Sequence, residues 1–126
     1  MKESKEAFIA RQKQLGRQTG FFYHYYFNSA NGTVQVKREP YAVCLMSDGR
    51  EYLYYKGELD YHKLMRDKMS SVISCGGSFM SIFLYKRNDE RAKDIMNLFY
   101  ENKIDDLEDK LEALKVQKDK LKSIKY

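Results

Sequence analysis

The sequence predicts an α+β fold: an antiparallel sheet, made of a four-stranded meander plus a fifth strand, covered by helices and followed by a long amphipathic C-terminal helix. Three observations carry this reading. Asn31-Gly32 and Asp48-Gly49 each separate runs rich in aromatic and β-branched residues, the strongest short-range hairpin signal. Apolar residues recur at helical spacing over 61–75. From Ile104 onward they step by three and four among dense charges, as in a coiled-coil seam. The expected organisation is a basic helix or arm over 1–20, an α+β core over 21–101, and a coiled-coil-like helix over 102–126.

The first element is a short helix from Met1 to Leu15, with Phe8, Ile9, Gln12 and Leu15 as a narrow stripe that suits a loosely held arm. Phe21 to Phe27 is six aromatics around His24, a composition that favours a strand. A two-residue turn at Asn31-Gly32 sets Phe27 opposite Val36 and His24 opposite Glu39. Alternation then places Tyr23, Tyr25, Phe27, Val34 and Val36 on a core face. Phe22, His24, Tyr26, Gln35, Lys37 and Glu39 share the other. Pro40, which cannot donate to a ladder, interrupts the second strand, and Tyr41–Met46 resumes it. The Asp48-Gly49 turn sets Leu45 opposite Tyr52 and Val43 opposite Tyr54. Asp60 can cap a helix from Tyr61 to Cys75, buried through Tyr61, Leu64, Met65, Met69, Val72 and Ile73 and stopped by Gly76-Gly77. Ser78–Lys86 is apolar on both sides and reads as a doubly covered strand. Asn88 caps the last helix, with Asp89 and Glu90 in its first turn. Asp105 and Glu108 resemble a capping box, which places a kink near Asn102.

Composition bounds the function. A chain of 126 residues with 14% aromatics and one Pro builds one real core and is not disordered. Two Cys are too few for a disulfide framework. No apolar run nears the roughly 20 residues that span a membrane, and residues 1–20 lack the apolar stretch of a signal peptide. The expected setting is the cytoplasm, with no membrane partner. The net charge of +5 is uneven, because residues 88–126 hold nine basic and ten acidic groups. The positive excess therefore belongs to the body ahead of the last helix.

Catalytic motifs are missing: there is no P-loop, G-x-G-x-x-G, H-E-x-x-H or G-x-S-x-G. Cys75, before two glycines, falls at a helix C-terminus, where partial negative charge disfavours a thiolate. Cys44, Cys75, His24 and His62 have no metal-ligand spacing. The acids at 105, 106, 108 and 109 form a solvated helix face. No enzyme activity, cofactor or metal is expected.

Two surfaces remain. The first is Phe22, His24, Tyr26, Gln35 and Lys37, with Arg38 and Arg50 as added cations. Aromatics beside cations stack bases and hold phosphates. A Tyr-rich sheet fringed with Lys and Arg also suits a protein interface. The second is the seam Ile104, Leu107, Leu111, Leu114 and Leu121, with Lys118 and Lys125 at seam positions. Acids crowd its first half and lysines its second, so an antiparallel copy sets acid against base. A homodimer through this helix is expected, antiparallel rather than parallel.

In its general look — short, rich in Lys and Tyr, without a catalytic motif — the chain resembles accessory proteins of phages and mobile elements, including inhibitors of bacterial defence nucleases. The leading expectation is a non-enzymatic binding protein that occludes a nucleic-acid-handling protein. The alternatives are single-stranded nucleic-acid binding by the first hairpin and nucleotide sequestration by an oligomer.

Overall fold

The computed structural model describes residues 3–57 and 60–125, apart from the side chains of 74–76. Helix α1 (Lys5–Gln14) begins at Ser4, whose hydroxyl accepts from the Ala7 N–H at 3.0 Å. The expected first turn from Met1 lies partly outside the described residues. Helix α1 is no loose arm. Phe8 and Gln12 are fully buried, and the Phe8 ring lies 5.9 Å from Tyr54 and 6.2 Å from Tyr61.

Six strands follow: β1 (Thr19–Asn28), β2 (Thr33–Leu45), β3 (Glu51–Lys56), β4 (Tyr61–Met65), β5 (Val72–Gly76) and β6 (Phe79–Leu84). They form one antiparallel sheet in the order β4-β3-β2-β1-β6-β5. The four strands expected in the meander are three, β1 to β3, because the two expected on either side of Pro40 form the single strand β2; the expected fifth strand is β6. The helix expected over 61–75 is replaced by β4, a single 3-10 turn at Arg66–Lys68, and β5. Its apolar spacing arises from three short pieces rather than one helical face. Ser70-Ser71 and the β-branched Val72-Ile73 are poor helix formers, and Ser70 takes a positive φ of 63°. Pairing with β4 also satisfies the outer edge of β3, where Leu53 meets Leu64. Asp60 caps no helix; its carbonyl accepts from the Gly57 N–H in the turn into β4. Gly77, at φ 59°, turns β5 into β6 instead of ending a helix.

Pro40 does not break β2. It pairs with Phe21 of β1, and pairing of β2 with β3 begins at Tyr41, beyond the missing donor. Both hairpin registers differ from expectation. Phe27 faces Val34 and His24 faces Lys37, a shift of two residues that leaves every side chain on its expected face. The loop has four residues because the Asn28 and Asn31 side chains accept from the Ala30 and Thr33 N–H groups. In the second hairpin Leu45 faces Glu51 and Val43 faces Leu53, a shift of one. Gly49 alone takes a positive φ, 88°, and Asp48 accepts from the Arg50 N–H. This is a three-residue turn with Gly in the left-handed position.

Both helices lie on one face of the sheet. Helix α2 (Asp89–Asp119) buries Ala92 and Met96 against Tyr25, Met80, Ile82 and Leu84. The opposite face curls on itself. Phe22, Leu53, Leu64 and Phe83 form a second core, with Met69 and Ile73 packed on it. The Ser70 N–H donates to the Phe83 carbonyl at 2.8 Å, tying the β4–β5 segment across this end of the curl.

Helix α2 runs without a break through Asn102, where a kink was expected. A helix of 31 residues is about 46 Å long at 1.5 Å per residue. From Tyr100 to Lys125 every residue is exposed, so this part stands clear of the sheet. No helix among the described residues is long and apolar enough to cross a membrane.

Candidate functional site

The curled face is filled at one end and open at the other. At the open end lies a cleft of about 420 Å³, lined by His24, Tyr26, Gln35, Lys37, Glu39, Tyr55, Gly57 and His62. Parity alone builds it. His24 and Tyr26 alternate on β1, and Gln35, Lys37 and Glu39 alternate opposite them on β2. Tyr55 joins from β3 beside His62 of β4, their rings 5.4 Å apart.

His24 is the most constrained member. Its ring stacks on Phe83 at 4.2 Å and 11°, and its Nε2 shares a hydrogen bond with the Ser81 hydroxyl at 3.0 Å. Burial, with help from the Lys37 and His62 charges, pushes its pKa down to about 4. At neutral pH it is therefore an uncharged ring with one hydrogen-bonding nitrogen engaged. Tyr26 stacks on Phe79 at 5.1 Å and 15°, which fixes its plane at the cleft wall. Burial pushes the Tyr55 hydroxyl up to about 12, and the Glu39 carboxylate adds to this. It stays protonated, a donor at physiological pH. The cleft thus holds ring faces, a neutral imidazole, an amide, a carboxylate and an ammonium. Such a set offers stacking faces, hydrogen-bond partners and charge of both signs.

Of the seven residues expected in this site, the structure brings four together: His24, Tyr26, Gln35 and Lys37. Phe22 is on the same face but fully buried in the second core, 5.0 Å from Phe83. Arg38 points to the other face, its guanidinium 3.6 Å above the Phe21 ring. Arg50 lies in the β2–β3 turn, bound to Asp48 at 2.6 Å. Tyr55, Gly57 and His62 escaped the sequence reading. The one-residue register shift hides Tyr55, and His62 reaches the cleft only because 61–65 is a strand.

The seam residues Ile104, Leu107, Leu111, Leu114 and Leu121 are all more than half exposed, as is Ile124. A second, apolar groove of about 400 Å³ lies between α2 and the β1–β2 hairpin, with Phe27, Val34, Val36, Met96 and Tyr100 among its walls. Among the described residues no group of three or more His, Cys, Asp or Glu side chains is placed to hold a metal ion. The Cys75 side chain lies outside the described residues, and Cys44 is a buried free thiol.

Comparison of the chain with protein-family models, curated proteins and solved structures finds no match.

Proposed function

We propose that this protein is a non-enzymatic binding protein whose sheet cleft receives an anionic, ring-bearing ligand, either a nucleotide or a short single strand of nucleic acid. The observation that carries this is the convergence of His24, Tyr26, Gln35 and Lys37 on one concave site. A flat aromatic face suits a protein surface; a cleft walled by ring planes suits an inserted base. Tyr26 and Tyr55 supply the rings, Gln35 and Glu39 the partners for base edges, and Lys37 the charge for phosphate. Titration with mononucleotides and with short oligonucleotides at low salt separates the two ligand sources. Tyr26→Ala weakens binding about tenfold, since a stacked base is worth roughly 1–3 kcal/mol, and Lys37→Ala weakens it and lessens its dependence on salt. If neither ligand class binds at low salt, the reading fails.

A second reading, occlusion of a nucleic-acid-handling protein, is favoured by the outer strand β4, where His62 is exposed at the cleft and Tyr61 and Lys63 are exposed on the opposite face. It predicts a hydrogen-exchange footprint of that partner over β4 and the cleft rim. A footprint confined to other elements excludes it.

In either case the working unit is a homodimer, joined antiparallel through the C-terminal helix. The support is the exposed seam and the order of its charges. Light scattering of the full chain gives about twice the 15.0 kDa of one copy.

A further inference from the structure

The groove beside Tyr100 and the bare seam are one surface. Stepping back from Ile104 by four, three and four reaches Tyr100, Asn97 and Lys93, and all three line the groove. The 3-4 spacing therefore runs unbroken from Lys93 to Lys125. Within the α-helix, from Lys93 to Lys118, positions so spaced lie on one helix face. The groove adds one heptad to the seam, with the hairpin side chains Phe27, Val34 and Val36 as a far wall.

We propose that the mouth of this groove receives the C-terminal end of a second copy, Ile124 and Lys125, whose helix is laid antiparallel along the seam. This rests on the antiparallel pairing proposed above. Matching the apolar positions in reverse sets Leu111 against the partner's Leu114, and Ile104 against the partner's Leu121. Continuing the register brings the partner's Ile124 and Lys125 beside Tyr100 and Glu101, at the mouth of the groove. Three features favour this occupant. Charge comes first. In reverse register Glu108 lies near the partner's Lys115, and Lys118 lies opposite the partner's Leu107, between Asp106 and Glu108. A parallel pair would instead set Lys118 against its own copy. Second, the helix tightens into a 3-10 turn at Lys120–Ser123 and leaves helical geometry at Ile124, φ −71° and ψ 131°. There the chain leaves the helix axis with an exposed Ile side chain. Third, Val34, on the far wall, is itself 48% exposed, an apolar residue at a hairpin end with nothing over it among the described residues.

The test uses the full chain and its dimer dissociation constant, measured by sedimentation equilibrium. Leu111→Arg, at the seam centre, weakens dimerisation at least 100-fold. Val34→Arg and Ile124→Glu each weaken it about tenfold, and combining them restores most of the loss, because the new charges face each other across the groove. Both altered side chains are exposed, so the fold is retained, and circular dichroism checks this. A mixture of Tyr100→Cys and Lys125→Cys chains, in a Cys44→Ala, Cys75→Ala background, forms the mixed disulfide on oxidation. If Val34→Arg leaves the constant unchanged while Leu111→Arg raises it, the groove assignment is wrong and the helix pairing stands. If only like chains cross-link, the pairing is parallel and both proposals fall. A chain that is monomeric at 100 µM also overturns both.

Discussion

His24 titrates far from its ordinary range because it is pinned between Phe83 and Ser81 inside the sheet's curl. Folding therefore disfavours its charged form. In the unfolded chain the ring takes up a proton as pH falls through about 6.5, while in the native protein it does so only near 4. Between those values the unfolded state binds more protons, so stability falls as the pH drops. The full loss is about 3 kcal/mol at most. Urea unfolding at pH 7.5 and pH 5 shows this decline, and His24→Asn flattens it. An unchanged slope in His24→Asn would mean that another group drives it. Gln12 presents the opposite problem. Its Oε1 accepts from Arg17 at 2.7 Å, but its Nε2 is buried and finds no hydrogen-bond partner among the described residues. At this scale the sequence was informative about faces, since parity alone puts His24, Tyr26, Gln35 and Lys37 together. It was silent on burial: Phe22 shares their parity but lies under Phe83 and Tyr41, a packing set by chain segments more than 15 residues away.

At the scale of elements, the start of α2 is joined to the sheet by one side chain. The Tyr25 hydroxyl donates to Asp89 at 2.7 Å and accepts from the Asn88 N–H at 3.0 Å. Asn88 in turn accepts from the Arg91 N–H. Strand β1, the helix cap and the first turn thus share one hydrogen-bond chain. Tyr25→Phe keeps the ring packing and deletes the link, leaving the Asn88 N–H unpaired; the expected loss is about 1–2 kcal/mol in urea unfolding. Asn88→Ala removes the cap alone and costs about 1 kcal/mol. The sum for the double variant falls short of the two separate losses, because the groups belong to one network. Asn88 was legible in the sequence, since a cap is a local signal. Strand β4 was not. Tyr61, Leu64, Met65 and Met69 fit helical spacing as well as they fit a strand, a turn and a crossing segment. What decides between them is the open edge of β3, a tertiary fact with no local trace. The hairpin at Asp48-Gly49 shows the same limit. Two residues announce a turn, but whether it holds two residues or three decides which face Tyr55 takes.

The whole molecule divides into a part with buried clusters of its own and a part without one. The sheet and the start of α2 carry the two buried clusters and α1 adds the buried Phe8 and Gln12, while residues 100–125 contribute no buried side chain. A helix of this length without tertiary cover is marginal in water. Anchoring at its N-terminal end by Ala92 and Met96 supplies the nucleus but not the stability of later turns. In the proposed dimer, pairing with a second copy supplies it, and pairing obeys mass action. Hydrogen exchange followed by mass spectrometry at 2 µM and 200 µM protein therefore separates the two parts. Amides of β1, β2 and β6, inside the sheet, exchange at the same slow rate at both concentrations. Amides of 104–119 exchange quickly at the low concentration and are protected at the high one. Val34→Arg shifts that protection to higher concentration without touching the sheet amides. Protection of 104–119 that is strong and independent of concentration would show a helix stable on its own, with its exposed leucines left to solvent, and the division proposed here would be wrong.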